Sequence, residues 1–276
     1  MASDSSIAPN DAVVVSYPRD GVALVTMNRP AKLNAMNNAL IDGLYAACDE
    51  VDSRRDVRVV ILTGAGRGFC AGADLGGFGD IPGTEDVGQV QLWFAMQQKI
   101  TGVIPRLQHL KVPVIAAVNG AAAGGGFALV LGCDIRIASA SARFNVAFIR
   151  IGISACDIGT SWMLPRLVGA ARAHELMLTG RIFDSTEAER IGLVTQVVAD
   201  EELLDTALDK AEEIKANSPW GVFMTKEVMW SALEIGSRQA AVDLENRTQV
   251  LSGMTADATE ARMAFLEKRP PQFKNA

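Results

Sequence analysis

Two glycine-rich turns are the parts of the sequence whose residue types point most directly to chemistry. The first, GFCAGADL, covers residues 68–75, and the second, NGAAAGGGFA, covers residues 119–128. Each follows a strand-like run, and glycine lets a ligand approach the main chain closely. Glycines at a helix start leave N–H groups with partial positive charge and no internal partner. Two such turns on neighbouring strands can direct two N–H groups at one oxygen, the arrangement that stabilises an enolate oxyanion.

Either turn alone has simpler explanations. Glycine clusters after strands usually form tight turns or allow close packing. A phosphate cradle is not supported, since the sequence has no G-x-x-x-x-G-K-[ST] motif and GAGRGF at residues 64–69 lacks the acidic residue of a dinucleotide-binding βαβ unit. We therefore set nucleotide hydrolysis and dinucleotide redox chemistry aside.

The elements around these turns alternate β-branched runs with helical patterns. AVVVSY and VALVTMN predict a hairpin around residues 19–21, and residues 37–51 predict a helix. VRVVILTG, VPVIAAVNG and DIRIAS predict further strands, residues 85–107 an amphipathic stretch, and FALVLG a buried helix. This order is typical of an α/β domain whose largely parallel strands are joined by crossover helices.

The second half of the sequence changes character. From Trp162 onward, apolar residues recur mainly at three- and four-residue spacing, as in ALDKAEEIKANS and TEARMAFLEK. We predict a core domain over residues 1–200 and a helical oligomerisation region over residues 201–276. Apolar faces on terminal helices often bury against another subunit, so we expect a homo-oligomer.

Composition argues against several classes of partner. The 276 residues carry 26 Lys+Arg against 32 Asp+Glu, a formal charge of −6, so no global positive field favours nucleic acid or an anionic membrane. No apolar run reaches the roughly 18 residues of a membrane span. Four widely spaced cysteines without a C-x-x-C motif suit reduced thiols, and MASDSSIAPND lacks the basic and apolar regions of a secretory signal. We expect a cytoplasmic protein with a frayed polar leader.

Both turns, in this order and with their surroundings, resemble the crotonase (enoyl-CoA hydratase/isomerase) superfamily. The similarity covers nearly the whole chain and includes NRPAKLNAMN at residues 28–37, LPRLVGAARAHELMLTGR at 164–181, AERIGLVTQVV and the terminal FLEKRPPQF. The resemblance implies an α/β spiral of β-β-α repeats, a fold shared with caseinolytic proteases. It also implies a C-terminal helical trimerisation region and a trimer or a dimer of trimers.

The resemblance further implies a site for an acyl-CoA thioester, with oxyanion amides at Ala71 and Gly125. The residues implied to bind CoA are Ala31, Lys32, Leu33, Ala73, Asp74 and Leu75, together with Phe265 and Lys268, which would reach the CoA of a neighbouring subunit. Coenzyme A is then part of the substrate, and neither a separate cofactor nor a metal ion is expected. Lys32 could pair with a phosphate as a flexible point charge, although a lysine outside such a motif is usually a solvated surface residue.

The well-known hydratases of this superfamily use two glutamates beside the α and β carbons of the substrate, and both are replaced here. Ala128 occupies the first position and Phe148 the second, and neither side chain can carry a proton. The remaining candidate is Asp157 in GISACDIGT, which resembles the aspartate of dienoyl-CoA isomerases, although its spacing from Phe148 is one residue longer. Alternatively, Asp157 caps the helix predicted to begin near Gly159.

Other reactive side chains have structural explanations. We expect backbone bonding for Asp74, ordering of a strand start for Asp134, surface or capping positions for His109 and His174, and inert packing for Cys70. Arg150 lies among apolar residues and could pair with Asp157 or with an acid on a neighbouring segment.

These residues predict an enzyme that acts on an acyl-CoA through an enolate, most naturally an isomerase or specialised lyase, with Asp157 moving the proton. A non-catalytic CoA-thioester binder or structural homologue is the alternative, and an ordinary enoyl-CoA hydratase is a third possibility. A serine peptidase is disfavoured, because neither histidine lies in a matching motif and the turns carry no nucleophilic serine. Acyl chain length depends on residues 80–98, which match no motif.

Overall fold

The computed structural model describes residues 11–275. Residues 1–10, which hold most of the predicted leader, and residue 276 lie outside the described part. The strands are β1 (Val13–Arg19), β2 (Val22–Met27), β3 (Val59–Gly64), β4 (Gly68–Cys70), β5 (Val114–Val118), β6 (Ala121–Ala123), β7 (Ile135–Ser139), β8 (Arg143–Asn145), β9 (Phe183–Asp184) and β10 (Gln196–Val198). The helices are α1 (Asn38–Ser53), α2 (Gln89–Thr101), α3 (Val103–Gln108), α4 (Gly125–Gly132), α5 (Thr160–Val168), α6 (Ala170–Thr179), α7 (Ser185–Arg190), α8 (Leu203–Lys215), α9 (Pro219–Ala232), α10 (Arg238–Gly253) and α11 (Ala256–Glu267).

The strands form two sheets that run along the same spiral. A six-stranded sheet has the order β1-β2-β3-β5-β7-β10, and a four-stranded sheet has the order β4-β6-β8-β9. The pairs β3–β4, β5–β6 and β7–β8 each give one strand to each sheet before the chain enters helices. Except for the antiparallel pairs β1–β2 and β8–β9, neighbouring strands are parallel. The predicted α/β spiral of β-β-α repeats is confirmed.

The six-stranded sheet is covered on both faces, which explains why its central strands are apolar throughout. Val60 and Leu62 of β3 pack in the large cluster that includes α1 and α4. Val59 and Ile61, on the opposite face, pack against α8. Because side chains alternate between the faces of a strand, one continuous apolar run serves both layers.

The position of α8 bears on the predicted division of the chain at residue 200. Its buried residues are Leu203, Ala207, Leu208 and Ala211, and they pack on the six-stranded sheet. By its packing, this first helix of the predicted oligomerisation region therefore belongs to the α/β layers. The role of the later helices in assembly stays a prediction.

The amphipathic stretch predicted over residues 85–107 is split into α2 and α3 at Gly102. The hydroxyl of Tyr45 donates to Lys99 O at 2.9 Å, a carbonyl that a continuous helix would bond to residue 103. A methyl group on Gly102 would lie 2.4 Å from that hydroxyl oxygen, so glycine is required for the contact. A tertiary contact from α1 thus accounts for a break that periodicity does not predict.

One buried cation ties α9 to the sheet. Lys226 Nζ donates to Leu107 O at 3.0 Å and Val112 O at 2.9 Å, and it pairs with Asp134 at 3.0 Å. The same aspartate accepts from the N–H of Val114, the first residue of β5, at 2.7 Å. The expectation that Asp134 orders a strand start is confirmed.

The helices after α9 bury few side chains in the described chain. None of the residues of α10 is buried, and α11 buries only Asp257 and Ala264. The exposed large apolar residues of this region are Val242, Val250, Leu251, Met254, Met263, Phe265 and Leu266.

Across residues 11–275, no helix combines the length and apolar character needed to span a membrane.

Candidate active site

The two glycine-rich turns pack directly against each other. A methyl group on Gly126 would lie 2.0 Å from Cys70 O, and one on Gly72 would lie 2.8 Å from Ala123 O and 3.4 Å from Gly125 N. Gly72 also has a φ of 88°, which L side chains rarely adopt. The predicted meeting of the turns is present, and it depends on the absence of side chains at both glycines.

The amide of Ala71, predicted as one oxyanion donor, is already engaged. Its N–H donates to Leu33 O at 3.0 Å. A backbone amide has one proton, so this bond leaves none for a ligand. The structure therefore contradicts the assignment of Ala71 as an oxyanion donor.

The amide of Ala73, two residues later, is free. Ala73 forms an isolated parallel bridge with Met36, and the bonds of that bridge use the flanking groups: Met36 N donates to Gly72 O and Asp74 N to Met36 O. In a parallel pair the bridging residue's own N–H points to the opposite side. Within residues 11–275 this N–H has no hydrogen-bond acceptor, and the residue is exposed.

The amide of Gly125, predicted as the second donor, begins α4, where helix geometry supplies no internal acceptor. The nitrogen of Ala73 is separated from the Cα of Gly72 by one carbonyl carbon. A methyl group on that Cα would reach within 3.4 Å of Gly125 N. Two unpaired N–H groups thus lie close together, and the N–H of Gly125 carries the positive end of a helix dipole.

The segment predicted to line the CoA channel runs beside the first turn. Asn34, which is fully buried, accepts from Arg29 N at 2.8 Å and donates to Ala65 O at 3.0 Å and Gly68 O at 2.8 Å. Leu33 and Asn34 both have positive φ, so the chain turns sharply here. The bonds from Ala71 N to Leu33 O and from Met36 N to Gly72 O then hold this segment beside the first turn. Of residues 31–33 and 73–75, four are exposed: Ala31, Lys32, Ala73 and Leu75.

Asp74 anchors the first turn. Arg29 pairs with it at 2.8 Å, and the N–H of Gly76 donates to it at 3.0 Å. The Arg29 guanidinium, followed by the Gly76 N–H, holds the pKa of the Asp74 carboxyl below its usual range. Arg29 also donates to Ala35 O, which links the channel segment to the turn. The predicted structural role of Asp74 is confirmed, and a contact with CoA stays a prediction.

Phe265 and Lys268 lie at the end of α11 and are exposed, Phe265 by 84%. In the described part of this chain, neither makes a hydrogen bond or ion pair with the channel segments. Their predicted contact with CoA of a neighbouring subunit stays a prediction.

The two positions that would carry glutamates lie beside the amide pair. Ala128 is three residues after Gly125 on α4, and its N–H donates to Gly124 O at 3.0 Å. A methyl group on Gly124 would lie 3.5 Å from the ring of Phe148. Both positions are buried and apolar, so neither supplies a proton-transfer group.

Asp157 lies on the segment that flanks the start of α4. A methyl group on Gly125 would lie 3.3 Å from Cδ1 of Ile158, the residue that follows Asp157. Oδ1 of Asp157 accepts from Ile158 N at 2.8 Å and from the side-chain amide of Gln97. Asp157 therefore lies on a segment that packs against the start of α4, and it is half-buried.

The alternative role of Asp157 as a helix cap is contradicted by the structure. The N-cap residue of α5 is Gly159, with a φ of 73° and no side-chain cap bond. Thr160 N donates to the main-chain oxygen of Asp157, not to its carboxylate. The side chain is thus available for another role.

Gln97 is the site residue that the sequence did not reveal. It lies in α2, within the segment that matches no motif, and 60 residues separate it from Asp157.

Arg150 is exposed and packs over Gly180, and no ion pair joins it to Asp157 in residues 11–275. Within the described residues Arg150 forms no ion pair with an acid on a neighbouring segment either, so both predicted pairings of Arg150 are wrong.

The remaining reactive residues have the structural roles predicted for them. His109 is the exposed C-cap residue of α3, and His174 is exposed on α6. Cys70 is fully buried, and burial raises the pKa of its thiol to about 12. Among the described residues, no three side chains of the metal-binding types converge.

A spiral of β-β-α repeats whose turns bring two free amides together defines a protein of the crotonase class. The model of the Enoyl-CoA hydratase/isomerase family matches residues 18–276. The chain belongs to this family.

Curated relatives match over nearly their full length. The probable enoyl-CoA hydratase echA12 of Mycobacterium bovis is 42% identical over 262 residues, 95% of this chain and 92% of that protein. The 1,2-epoxyphenylacetyl-CoA isomerase of Escherichia coli is 39% identical over 261 residues, 94% of this chain and 97% of that protein. Relatives with hydratase and isomerase names are thus about equally similar.

A solved structure confirms the fold. The crystal structure of a probable enoyl-CoA hydratase/isomerase from Mycobacterium abscessus superimposes with a TM-score of 0.90 at 40% identity and covers 96% of this chain and 99% of that one. A monofunctional enoyl CoA isomerase from M. smegmatis, also 40% identical, gives a TM-score of 0.72 and covers 84% of this chain and 99% of that one.

Proposed function

We propose that this protein is an acyl-CoA isomerase that moves a double bond through an enolate. The observation that carries the proposal is the pair of unpaired amides, Ala73 and Gly125, beside the segment that holds Asp157, while both hydratase glutamates are absent.

The thioester oxygen binds between the N–H groups of Ala73 and Gly125. Removal of an α or γ proton places negative charge on this oxygen, and amides fixed in advance stabilise that charge without reorganisation. The tight packing of Gly126 on Cys70 holds the two turns in place and so fixes the separation of the donors.

Asp157 transfers the proton. Isomerisation takes a proton from one carbon and returns it to another, so one carboxylate that is first base and then acid is sufficient. Hydration also requires activation of a water molecule, the work of a second group. Because Ala128 and Phe148 cannot do that work, isomerisation fits the site better than hydration.

The acyl chain lies against α2. The hydrogen bond from Gln97 to Asp157 supports a site bordered by one face of this helix. Trp93 lies one helical turn before Gln97 on the same face and Phe94 lies beside it, with exposures of 62% and 63%. Their exposed rings support an acyl group with substantial apolar surface.

A homotrimer, or a dimer of trimers, is the proposed assembly. The support is the exposed apolar surface of α10 and α11, whose residues have few partners in the described chain. The position of Lys268 after α11, at an αL residue that turns the chain, is compatible with a contribution to a neighbour's CoA site.

A reducing, cytoplasmic compartment is the proposed location. Cys48, Cys70, Cys133 and Cys156 are all free thiols in the structure, and three of them are buried. Such thiols suit a compartment in which disulfides do not persist.

The decisive experiment is a substrate panel of 3-enoyl-CoA, dienoyl-CoA and crotonyl-CoA thioesters, assayed with the wild type and Asp157→Asn. The wild type should convert 3-enoyl-CoA to the conjugated 2-enoyl product, detected by its ultraviolet absorbance. Asp157→Asn should lower turnover by about a hundredfold or more while CoA-ester binding persists, because it removes the proton carrier but not the amides. Asp205→Asn, at an exposed position on α8, is the matched control and should keep full activity.

Two results would refute the proposal. Efficient hydration of crotonyl-CoA would show that the missing glutamates are not needed. Thermal stabilisation by CoA thioesters without turnover of any substrate would instead identify a non-catalytic binder.

A further inference from the structure

The carboxylate of Asp157 is held at one oxygen from two sides. Gln97 donates to Oδ1 from its side-chain amide, and the N–H of Ile158 donates to the same atom at 2.8 Å. The second oxygen, Oδ2, has no donor among residues 11–275. The amide of Gln97 also lies 3.4 Å from Thr101 Oγ1, one turn further along α2, which restrains its own orientation.

This arrangement makes the two oxygens chemically different. A carboxylate offers about four lone-pair positions, and two donors on Oδ1 leave Oδ2 as the oxygen free to accept a proton. Donors from two separate segments, α2 and the loop before α5, also restrain rotation of the carboxylate. Oδ2 is thereby kept in one position relative to the start of α4.

The chemical type of the donor matters as well. A cation beside the carboxylate would strongly favour its charged form and weaken it as a base. Lys99, two residues beyond Gln97, is instead paired with Asp42 at 2.6 Å, and Arg150 is exposed and unpaired with Asp157. No ion pair to Asp157 occurs in the described chain. A neutral amide orients the carboxylate without placing a positive charge beside it.

We propose that Gln97 is a positioning residue that binds Oδ1 of Asp157 and thereby directs Oδ2 to the substrate carbon that exchanges its proton. The proposal rests on the role of Asp157 in the proposed function. It assigns a task to α2, for which the sequence offers no motif.

The test compares Gln97→Met, which keeps length but removes the donor, with Gln98→Met, an exposed neighbour on the same helix, as the matched control. Gln97→Met should lower kcat about ten- to hundredfold with little change in KM, since a hydrogen bond to a charged group is lost. The acid limb of the kcat profile should move to higher pH, because the charged carboxylate loses a donor. Gln97→Glu should move the acid limb further to higher pH, because the introduced carboxylate repels that of Asp157. Gln98→Met should change none of these quantities.

A double-mutant cycle separates the two proposals. In an Asp157→Asn background, Gln97→Met should have no further effect on turnover, because it acts through the absent carboxylate. If Asp157→Asn abolishes turnover but Gln97→Met and Gln97→Glu keep the wild-type rate and pH profile, the role of Gln97 is refuted and that of Asp157 stands. Unchanged turnover in Asp157→Asn overturns both. Thermal unfolding of each variant identifies a loss of rate that comes from misfolding, and Gln97→Glu, which keeps size and polarity, then decides by its pH profile.

Discussion

Substitution of Gly126 by alanine tests the two-amide site through the backbone alone. The added methyl group would lie 2.0 Å from Cys70 O and 2.7 Å from Cys70 Cβ. Real Cβ contacts do not fall below 3.0 Å, so the start of α4 and the end of β4 must separate by about 1 Å, the difference between 3.0 and 2.0 Å. Gly125 and Ala73 lie on opposite sides of this contact, so their amides separate with it.

The separation has a large expected effect on catalysis and a smaller one on stability. A donor moved by about 1 Å from an optimal distance of about 2.9 Å no longer makes an effective hydrogen bond. We therefore expect turnover to fall about a hundredfold, comparable to the loss of one oxyanion donor. The free energy of unfolding should fall by about 1–3 kcal/mol, the usual range for an overpacked core.

The assay pairs Gly126→Ala with Gly253→Ala, whose methyl group meets nothing within 4 Å at the end of α10. Isomerase turnover, thermal unfolding and the red shift of a conjugated acyl-CoA chromophore on binding should be measured for both. The shift reports polarisation of the thioester carbonyl and should weaken only in Gly126→Ala. A folded Gly126→Ala protein with wild-type turnover and an unchanged shift would refute the assignment of these amides.

Three further predictions test the supporting structure. Lys226→Met should lower the free energy of unfolding by about 3 kcal/mol, because it leaves the Asp134 carboxylate largely buried without its cation; an unchanged urea midpoint would contradict this. Asp74→Asn should lower the free energy of unfolding near pH 7, because Arg29 lowers the folded-state pKa of Asp74 and so stabilises the folded protein. The difference in free energy of unfolding between wild type and variant should shrink as the pH falls toward about 3, since this stabilisation is lost on protonation. A difference in urea midpoint that stays constant over this range would argue against the ion pair. In the native protein iodoacetamide should modify exposed Cys156 and spare the three buried thiols until unfolding, as peptide mass spectrometry would show.

Much of the fold could be predicted because its signals are local. The hairpin of β1 and β2 follows from two β-branched runs around Gly21, which adopts a φ of 72°. The start of α1 follows from Asn37, whose side chain accepts from Leu40 N at 3.0 Å. The covered sheet follows from apolar runs such as VVIL, in which consecutive residues face both layers. Each feature depends on residues a few positions apart.

The site was predicted less completely, because its geometry depends on one unusual backbone angle and on distant contacts. The donor predicted in the first turn is Ala71, whereas the free amide in the structure is that of Ala73. Gly72, at a φ of 88°, reorients the chain between them, so that one N–H bonds to Leu33 and the other is free. Spacing along the sequence carries no information about that reorientation. The contact between Gln97 and Asp157 joins segments 60 residues apart and is equally invisible.

The division between backbone and side-chain groups explains how one scaffold can serve different reactions. Gly64, Gly120 and Gly126 each face a carbonyl oxygen that a methyl group would approach within 2.0–2.3 Å, so the turns that present the amides cannot change without moving the main chain. Ala128 and Phe148, in contrast, hold their positions by apolar packing, and their side-chain type can vary while α4 and its neighbours keep their places. In the proposed mechanism, stabilisation of the enolate therefore depends on the fold, whereas the proton path depends on a few side chains such as Asp157 and Gln97. For this reason the reaction must be argued from the proton-transfer groups, and the amide pair alone establishes only the class of chemistry.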